Sequence, residues 1–448
     1  MTTPAIRPRW RESGHLPQAV GLFSVAFLVA FETFAVATAL PVVAIELDGL
    51  SLFAVSFAAP AATAIGAMTC AAWWCDRYGH ARPILMGMAV FGIGLVLSGA
   101  APSMEWFVAG RAVQGLGAGL VSVALYVLVA RAFPDHLRPR AFVVLTSAWV
   151  LPAVVGPLIS GTIAEHLGWR WVFLGVPSVA IGALALLRPA LRSSHGDATA
   201  PMPWARVLCS LAVAVAIFAV MIGGQRDVPG WRALVAVGVV LAVVAAVPLV
   251  PRGTVRAARG LPAVIATRSL MGTGLATAES FVPLALVRLR ELTPTHAGLF
   301  LTSTALLWFA GAWASDRWLS PAPRIALGAV SVSAALCSTL LIPVPGVPVV
   351  ALAIGWAFAG WGMGLAMPAL SVLLLEHSVV GEEGRNSASM QTSDAVADAL
   401  VLAVCSGLFG WLLAKGPATP FIAVFAVAVG IALLALPASR RVSAAEAR

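Results

Sequence analysis

Apolar runs of about twenty residues or more dominate this chain, separated by short segments rich in Arg, Pro and Gly. A helix needs about 20 largely apolar residues to cross the hydrocarbon of a bilayer. Read that way, the pattern predicts fourteen spans, near residues 18–45, 50–74, 83–101, 105–130, 141–165, 171–190, 205–224, 233–251, 262–287, 295–315, 325–343, 348–375, 386–414 and 419–437. The longest polar stretches, residues 1–17, 191–204 and the C-terminal tail, are too short to build a core. The first run follows Arg7, Arg9 and Arg11 like a signal peptide. It is longer than an h-region, lacks a convincing cleavage site, and is therefore counted as a span. The expected fold class is an all-α polytopic membrane protein with no soluble domain.

Composition agrees. Of 448 residues, 60% are apolar and 10% charged, against about 25% charged in soluble domains. A cytosolic enzyme, a disordered chain and a secreted disulfide scaffold are excluded. The net charge of +9 does not point to nucleic acid, because the basic residues lie one to three at a time between apolar runs. With the N-terminus in the cytoplasm, 20 of the 28 Arg and Lys fall in cytoplasmic segments, six fall outside, and Arg111 and Arg268 lie in or at the edge of spans. That positive-inside bias, with an even number of spans, places both termini in the cytoplasm. Lys415 is the only lysine. The bias to Arg and Ala associates with a GC-rich bacterial genome, and so with the bacterial cytoplasmic (inner) membrane.

The chain repeats itself at an offset of about 245 residues. Gly110-Arg111-x3-Gly115-x-Gly117-x-Gly119 matches Gly355-Trp356-x3-Gly360-x-Gly362-x-Gly364, and Asp76-Arg77 matches Asp316-Arg317. Glu32-Thr33-Phe34 matches Glu279-Ser280-Phe281, and Arg140 with Ser160-Gly161 matches Arg385 with Ser406-Gly407. Spans 1–6 therefore pair with spans 9–14, leaving two unmatched. The predicted organisation is an N-terminal six-helix bundle (18–191), a linker with two extra helices (192–260) and a C-terminal six-helix bundle (261–438). Two parallel repeats are the pattern of a rocker-type secondary transporter with its site between the halves.

The motifs carry a family resemblance. Ala72-Trp-Trp-Cys-Asp76-Arg77-Tyr-Gly79-His80-Ala-Arg82-Pro83 resembles the loop signature of the major facilitator superfamily, with Ala72 and His80-Ala81 departing from the usual glycine and Arg-Lys. Arg111-x2-Gln114-Gly115 resembles the family's intramembrane arginine motif. Pro152-x3-Gly156-Pro157-x2-Ser160-Gly161 resembles its antiporter motif, with Pro152 and Ser160 replacing glycines. Glu32-x8-Pro41, and Pro283-Leu284 followed by Pro294-x2-Ala297-Gly298-Leu299, resemble the fourteen-span drug:proton antiporters, Glu32 standing where they carry Asp. The resemblance spans residues 20 to about 437 and implies the two-bundle fold, coupling to a proton gradient and export. It implies a gating latch between bundles at Asp76, Arg77 and Gly79, with Asp316 and Arg317 as their repeat-mates. It also places Glu32 and Glu279 on opposite walls of one cavity.

Physical chemistry adds to these assignments. Glu32 sits mid-span, where a charged carboxylate costs about 2.5–3.5 kcal/mol on insertion scales, so proton exchange is its natural chemistry. The bland alternative is a carboxyl bonded between helices for packing. Arg111 needs a partner, with Glu32 and helix carbonyls as candidates, and its function is either proton coupling or a structural ion pair. Asp394 and Asp398, spaced i, i+4, share a helix face. Two such charges in low dielectric favour a shared or exchangeable proton, unless they merely begin a solvated helix. Gln114 and Trp356 are candidates for lining the cavity, and Gln114, one turn on from Arg111, can bond either substrate or that arginine. Gly156-Pro157 interrupts a helix and favours close packing.

Gly115-x-Gly117-x-Gly119 lies within an apolar helix, so helix packing explains it better than phosphate binding. Five cysteines without a CxxC pair read as packing residues rather than metal ligands. There is no HExxH or Walker motif, and no cofactor other than the proton gradient is expected. The expected function is export of an amphiphilic or drug-like small molecule in exchange for protons, by a monomer in the lipid bilayer and not an enzyme. Export of one endogenous metabolite or lipid, uptake instead of export, and a non-transporting sensor or scaffold are the alternatives.

Overall fold

The computed structural model of this chain describes residues 15–134, 137–192, 202–224, 229–318, 320–379 and 383–443, without the side chains of 138–140, 142, 143, 146, 150, 315–318, 383–385 and 388. Among these residues there is no strand. Fourteen helices are long and apolar enough to span a membrane. They are α1 Leu16–Glu46, α2 Val55–Tyr78, α3 Ala81–Gly99, α4 Met104–Ala132, α5 Arg138–His166, α6 Arg170–Arg192 (broken at Gly175) and α7 Trp204–Gly224. The rest are α8 Trp231–Ala246, α9 Leu261–Arg290, α10 Pro294–Trp318, α11 Pro321–Thr339, α12 Val349–Glu376, α13 Glu383–Leu412 and α14 Thr419–Ser439. All fourteen expected spans are present. The boundaries differ by up to five residues; α2 begins at Val55 rather than 50, and α11 begins at Pro321 rather than 325, the latter because proline near a helix start gives up an N–H that has no intrahelical partner there. Arg324 thus lies inside its first turn. Gly79 ends α2 at φ 82°, a conformation that favours glycine.

The packing reproduces the repeat. In the first bundle α1 lies on α5 and α6, while α4 lies on α2 and α3. In the second, α9 lies on α13 and α14, while α12 lies on α10 and α11. The glycine triplets make this possible. A Cβ at Gly115 would collide with the Pro60 carbonyl on α2, and one at Gly117 would sit 2.5 Å from the Gly87 carbonyl on α3. The repeat-mate Gly360 meets the Thr304 carbonyl of α10 in the same way, and a Cβ at Gly362 would lie 2.5 Å from the Gly328 carbonyl of α11. Without side chains at these sites, helix backbones approach to van der Waals contact, which drives association where no hydrophobic effect operates.

The bundles meet along two seams, α5 with α10 and α2 with α13. At the first seam two motifs interlock. A Cβ at Gly161 would lie 2.7 Å from the Pro294 carbonyl, and one at Gly298 would strike the Pro157 carbonyl. Thr302 Oγ1 donates to the Val154 carbonyl at 3.1 Å, between Pro152 and Pro157, and α5 runs on as helix through both prolines rather than being interrupted at Gly156-Pro157. Gly156 itself is in ordinary contact, 3.4 Å from the Phe34 side chain. The close packing expected beside Gly156-Pro157 is therefore made by the Pro157 carbonyl against Gly298 and by Gly161 against Pro294. The inserted hairpin covers the second seam, with α7 packed on both α2 and α13 and α8 packed behind it.

The seam is sensitive to a single methyl group. Gly298→Ala is expected to destabilise the protein by about 1–3 kcal/mol through overpacking. Gly272→Ala, on α9 where nothing lies within 4 Å, should be neutral or stabilising. Thermal unfolding in detergent compares the two directly.

Candidate functional site

Two polar clusters lie inside the apolar frame. The first joins α1 and α4. Glu32 and Arg111, 6% and 5% exposed, form an ion pair through Arg111 Nη1 and Glu32 Oε1. The same nitrogen donates to Gln114 Oε1 at 2.6 Å, and Nε donates to the Ser56 carbonyl at 3.1 Å. A guanidinium at this depth is tolerated because both a carboxylate and a backbone oxygen meet it.

The repeat-mates of this pair are arranged differently. Trp356 replaces the arginine; it is fully buried and stacks on Phe300 at 6.3 Å. Glu279 is partly exposed and, among the described residues, makes no hydrogen bond or ion pair.

The second cluster joins α9 and α13. Arg268 Nε donates to Asp394 Oδ2 at 2.8 Å, and Ser269 Oγ donates to Asp394 Oδ1 at 2.7 Å. Ser269 also bonds Ser393 at 2.9 Å. One turn further, the Thr273 hydroxyl bonds Asp398 Oδ1. The carboxylates expected to share a proton thus have separate partners, a guanidinium for Asp394 and a hydroxyl for Asp398. Sequence reasoning missed Ser269 and Thr273 and assigned Arg268 no role. The available signal was their matched spacing. Ser269 and Thr273 are i, i+4 on α9 as Asp394 and Asp398 are on α13, so two helices running the same way align in register.

A cavity of about 370 Å³ opens beside the second cluster, at the end of the bundles that carries the chain termini. Asp394, Asp398 and Gln391 form one wall, and Ala26, Tyr126 and Trp149 belong to the other. Tyr126 and Trp149 are 44% and 40% exposed, so solvent reaches this wall. At the opposite end the way is closed by Phe53, Phe281 and Phe409, all essentially buried, with ring centroids 5.1–6.3 Å apart.

Several expected sites need correction. Glu32, Arg111, Gln114, Glu279 and Trp356 are absent from the wall of this cavity. Of the two partners expected for Gln114, it meets Arg111 and is 1% exposed, while Trp356 is a packing side chain. Asp76 pairs with Arg131 of α4 at 3.0 Å, and Arg131 also donates to the Cys75 carbonyl at 3.0 Å. This contact lies within the first bundle, where a latch between bundles was expected. Arg77 Nε donates to the Tyr78 hydroxyl at 3.1 Å and its guanidinium lies 5.8 Å from the Trp73 ring centroid. His80, which departs from the loop signature, is fully buried and bonds the Ala190 carbonyl at 3.1 Å, fastening α3 to the end of α6. The side chains of Asp316 and Arg317 lie outside the described residues. No group of three or more His, Cys, Asp or Glu among the described residues could hold a metal ion.

Comparison with known proteins gives one consistent result. Residues 22–402 match the family described as Major Facilitator Superfamily. A probable multidrug-efflux transporter of Mycobacterium tuberculosis is 28% identical, over 90% of this chain and 88% of the relative. An MFS efflux transporter of Aspergillus oryzae is 30% identical over 46% of this chain and 39% of its own length. Among solved structures, a POT family transporter in complex with 5-aminolevulinic acid superposes with a TM-score of 0.71 at 16% identity, covering 95% of this chain and 96% of that one. The POT family transporter PepTSo gives 0.71 at 13% identity, covering 96% and 97%. At these identities the structures establish the fold alone.

The two clusters differ in how they should answer mutation. Glu32→Ala strands a buried guanidinium and is expected to cost about 3–5 kcal/mol of stability. Glu32→Gln combined with Arg111→Met should recover most of that loss, as read by unfolding in detergent.

Proposed function

The chain belongs to the major facilitator superfamily, and on that premise we propose that it is a proton-coupled exporter of amphiphilic small molecules whose exchangeable proton resides on Asp398. The family and these relatives are transporters rather than enzymes. The observation that carries the reading is Asp398 itself. It stands on the wall of a solvent-open cavity between the bundles, and its hydrogen bond is to the Thr273 hydroxyl, while Arg268 faces its neighbour.

A carboxyl so placed can hold a proton or face a cation across the cavity, and not both. In the state described, open toward the termini, loss of the proton exposes a carboxylate to an amphiphile resting against Tyr126 and Trp149. Rocking to the opposite side presents that carboxylate to the more acidic face, where a proton displaces the substrate. The neutral acid then crosses back. Asp394 is compensated by Arg268 throughout and holds the site's geometry. Glu32 and Arg111 tie α1 to α4, so that the first bundle moves as a body. Glu279, without an ion pair, is a second place for a proton.

An inside-negative potential adds about 2.3 kcal/mol per charge per 100 mV to proton entry. The reading takes the termini as cytoplasmic, the membrane as the bacterial inner membrane and the working unit as a monomer. It is supported by the positive-inside bias and by relatives named as efflux transporters.

Transport of a cationic amphiphilic dye in proteoliposomes tests the proposal. Acid on the face opposite the termini should drive dye toward that face. Asp398→Asn should lower gradient-driven transport at least tenfold while leaving dye-for-dye exchange measurable, and Glu32→Gln should leave gradient dependence in place. Gradient-independent transport by the wild type, or an unchanged Asp398→Asn, overturns it.

A further inference from the structure

A second cavity shares no lining residue with the seam cavity. It is a lateral groove of about 180 Å³ between the inserted hairpin and the second bundle, lined by residues of α7, α8 and α13. Its origin is a pair of glycines. A Cβ at Gly224 of α7 would lie 2.8 Å from Cα of Gly407 on α13, so the backbones touch there and no side chain fills the space beside them. The lining is apolar, including Val220, Ala403 and Val404. Val404 is 37% exposed, and the outer face of α8 beside it shows Val237, Val240 and Val244 at 61–62%. The groove therefore opens toward the hydrocarbon of the bilayer.

Its mouth is different. Trp231 begins α8 and Trp411 lies near the end of α13, both on the groove wall. Each carries a cation on its ring: the Arg232 guanidinium lies 5.3 Å from the Trp231 centroid, and Lys415 Nζ lies 4.0 Å from that of Trp411. Tryptophan is favoured at the headgroup level, where one side of the ring is wet. The side of the membrane away from the termini carries six of the 28 basic residues, these two among them, and Lys415 is the chain's only lysine. An apolar slot about 12 Å long from Ala403 to Trp411, at 1.5 Å per residue, leads to two cations at headgroup depth. That arrangement complements a molecule with a hydrocarbon tail and an anionic head.

We propose that this groove is a binding site for an anionic phospholipid of the surrounding bilayer, its acyl chain lying between α7, α8 and α13 and its phosphate between Arg232 and Lys415. A chain in that position fills the space the glycine pair leaves and secures the hairpin to the second bundle.

Native mass spectrometry of the full-length protein, washed in detergent and offered phosphatidylglycerol or phosphatidylcholine with the same chains, tests this directly. Phosphatidylglycerol should be retained at least fivefold more than phosphatidylcholine. The double variant Arg232→Gln/Lys415→Gln should lose that preference, and inorganic phosphate in excess should not displace the lipid. Val404→Trp, which fills the groove from its open side, should reduce retention of both lipids, with its thermal unfolding in detergent confirming that it folds. Equal retention of the two lipids by the wild type, an unchanged preference in the double variant, or unchanged retention in a folded Val404→Trp protein would overturn the assignment.

Discussion

A charge inside a membrane protein must be met by another charge, a dipole or water, and this constraint decides where chemistry can occur in the chain. Arg111 is met by Glu32, Gln114 and the Ser56 carbonyl. Arg268 is met by Asp394. Once those cations are assigned, the acids left over are Glu279 and Asp398, and of these Asp398 lies on the solvent-open cavity. Two arginines thus sort four acids within the spans into compensated and exchangeable ones. The sorting depends on the second bundle lacking an arginine where the first has one, because Trp356 occupies that place.

The internal duplication sharpens this division. Across the offset of about 245 residues, Trp149 corresponds to Asp394, and at 247 Ala26 corresponds to Thr273. All but Thr273 lie on the wall of the same cavity, and Thr273 holds Asp398 there. One fold used twice has therefore built a chamber with an apolar, aromatic wall from the first copy and a charged wall from the second. That is the surface an amphiphile presents in reverse.

Much of the fold was legible because the bilayer leaves few options. Twenty apolar residues have to be a helix, and an even insertion has to preserve the direction of the second bundle. The site was legible only in part. Glu32, Arg111, Asp394 and Asp398 stand out as charges in apolar runs, but which acid meets which base depends on helix rotation, which an all-round apolar helix does not encode. For that reason Trp356 was set on the cavity, and the choice for Gln114 between substrate and Arg111 stayed open until the structure gave Arg111. Ser269 and Thr273 were missed because hydroxyls are common in membrane helices, where most bond their own backbone, as Ser280 does to the Ala276 carbonyl. Only the matched spacing on α9 and α13 marks these two as different. The latch at Asp76 depends on something else that sequence does not carry, the state of the cycle. A contact that exists in one state of a moving protein need not exist in the state described, and here Asp76 is taken by Arg131.

The seams and the closure also fit a structure that moves. At α5 and α10 glycines meet carbonyls, and the side chains that cross the seam do so by hydrogen bonds, Thr302 to the Val154 carbonyl and Thr295 to Glu165, which can be exchanged for other partners as the helices move. The far end is shut by three aromatic pairs, each worth about 0.5–1.5 kcal/mol beyond burial. That total is comparable with the roughly 2.3 kcal/mol that one charge gains across 100 mV. A closure made instead of buried salt bridges, each costing about 3–5 kcal/mol to break from one side, would be too deep for a single proton to reverse. The strong ion pair of this protein, Glu32 with Arg111, is kept inside one bundle, where no rocking motion has to break it.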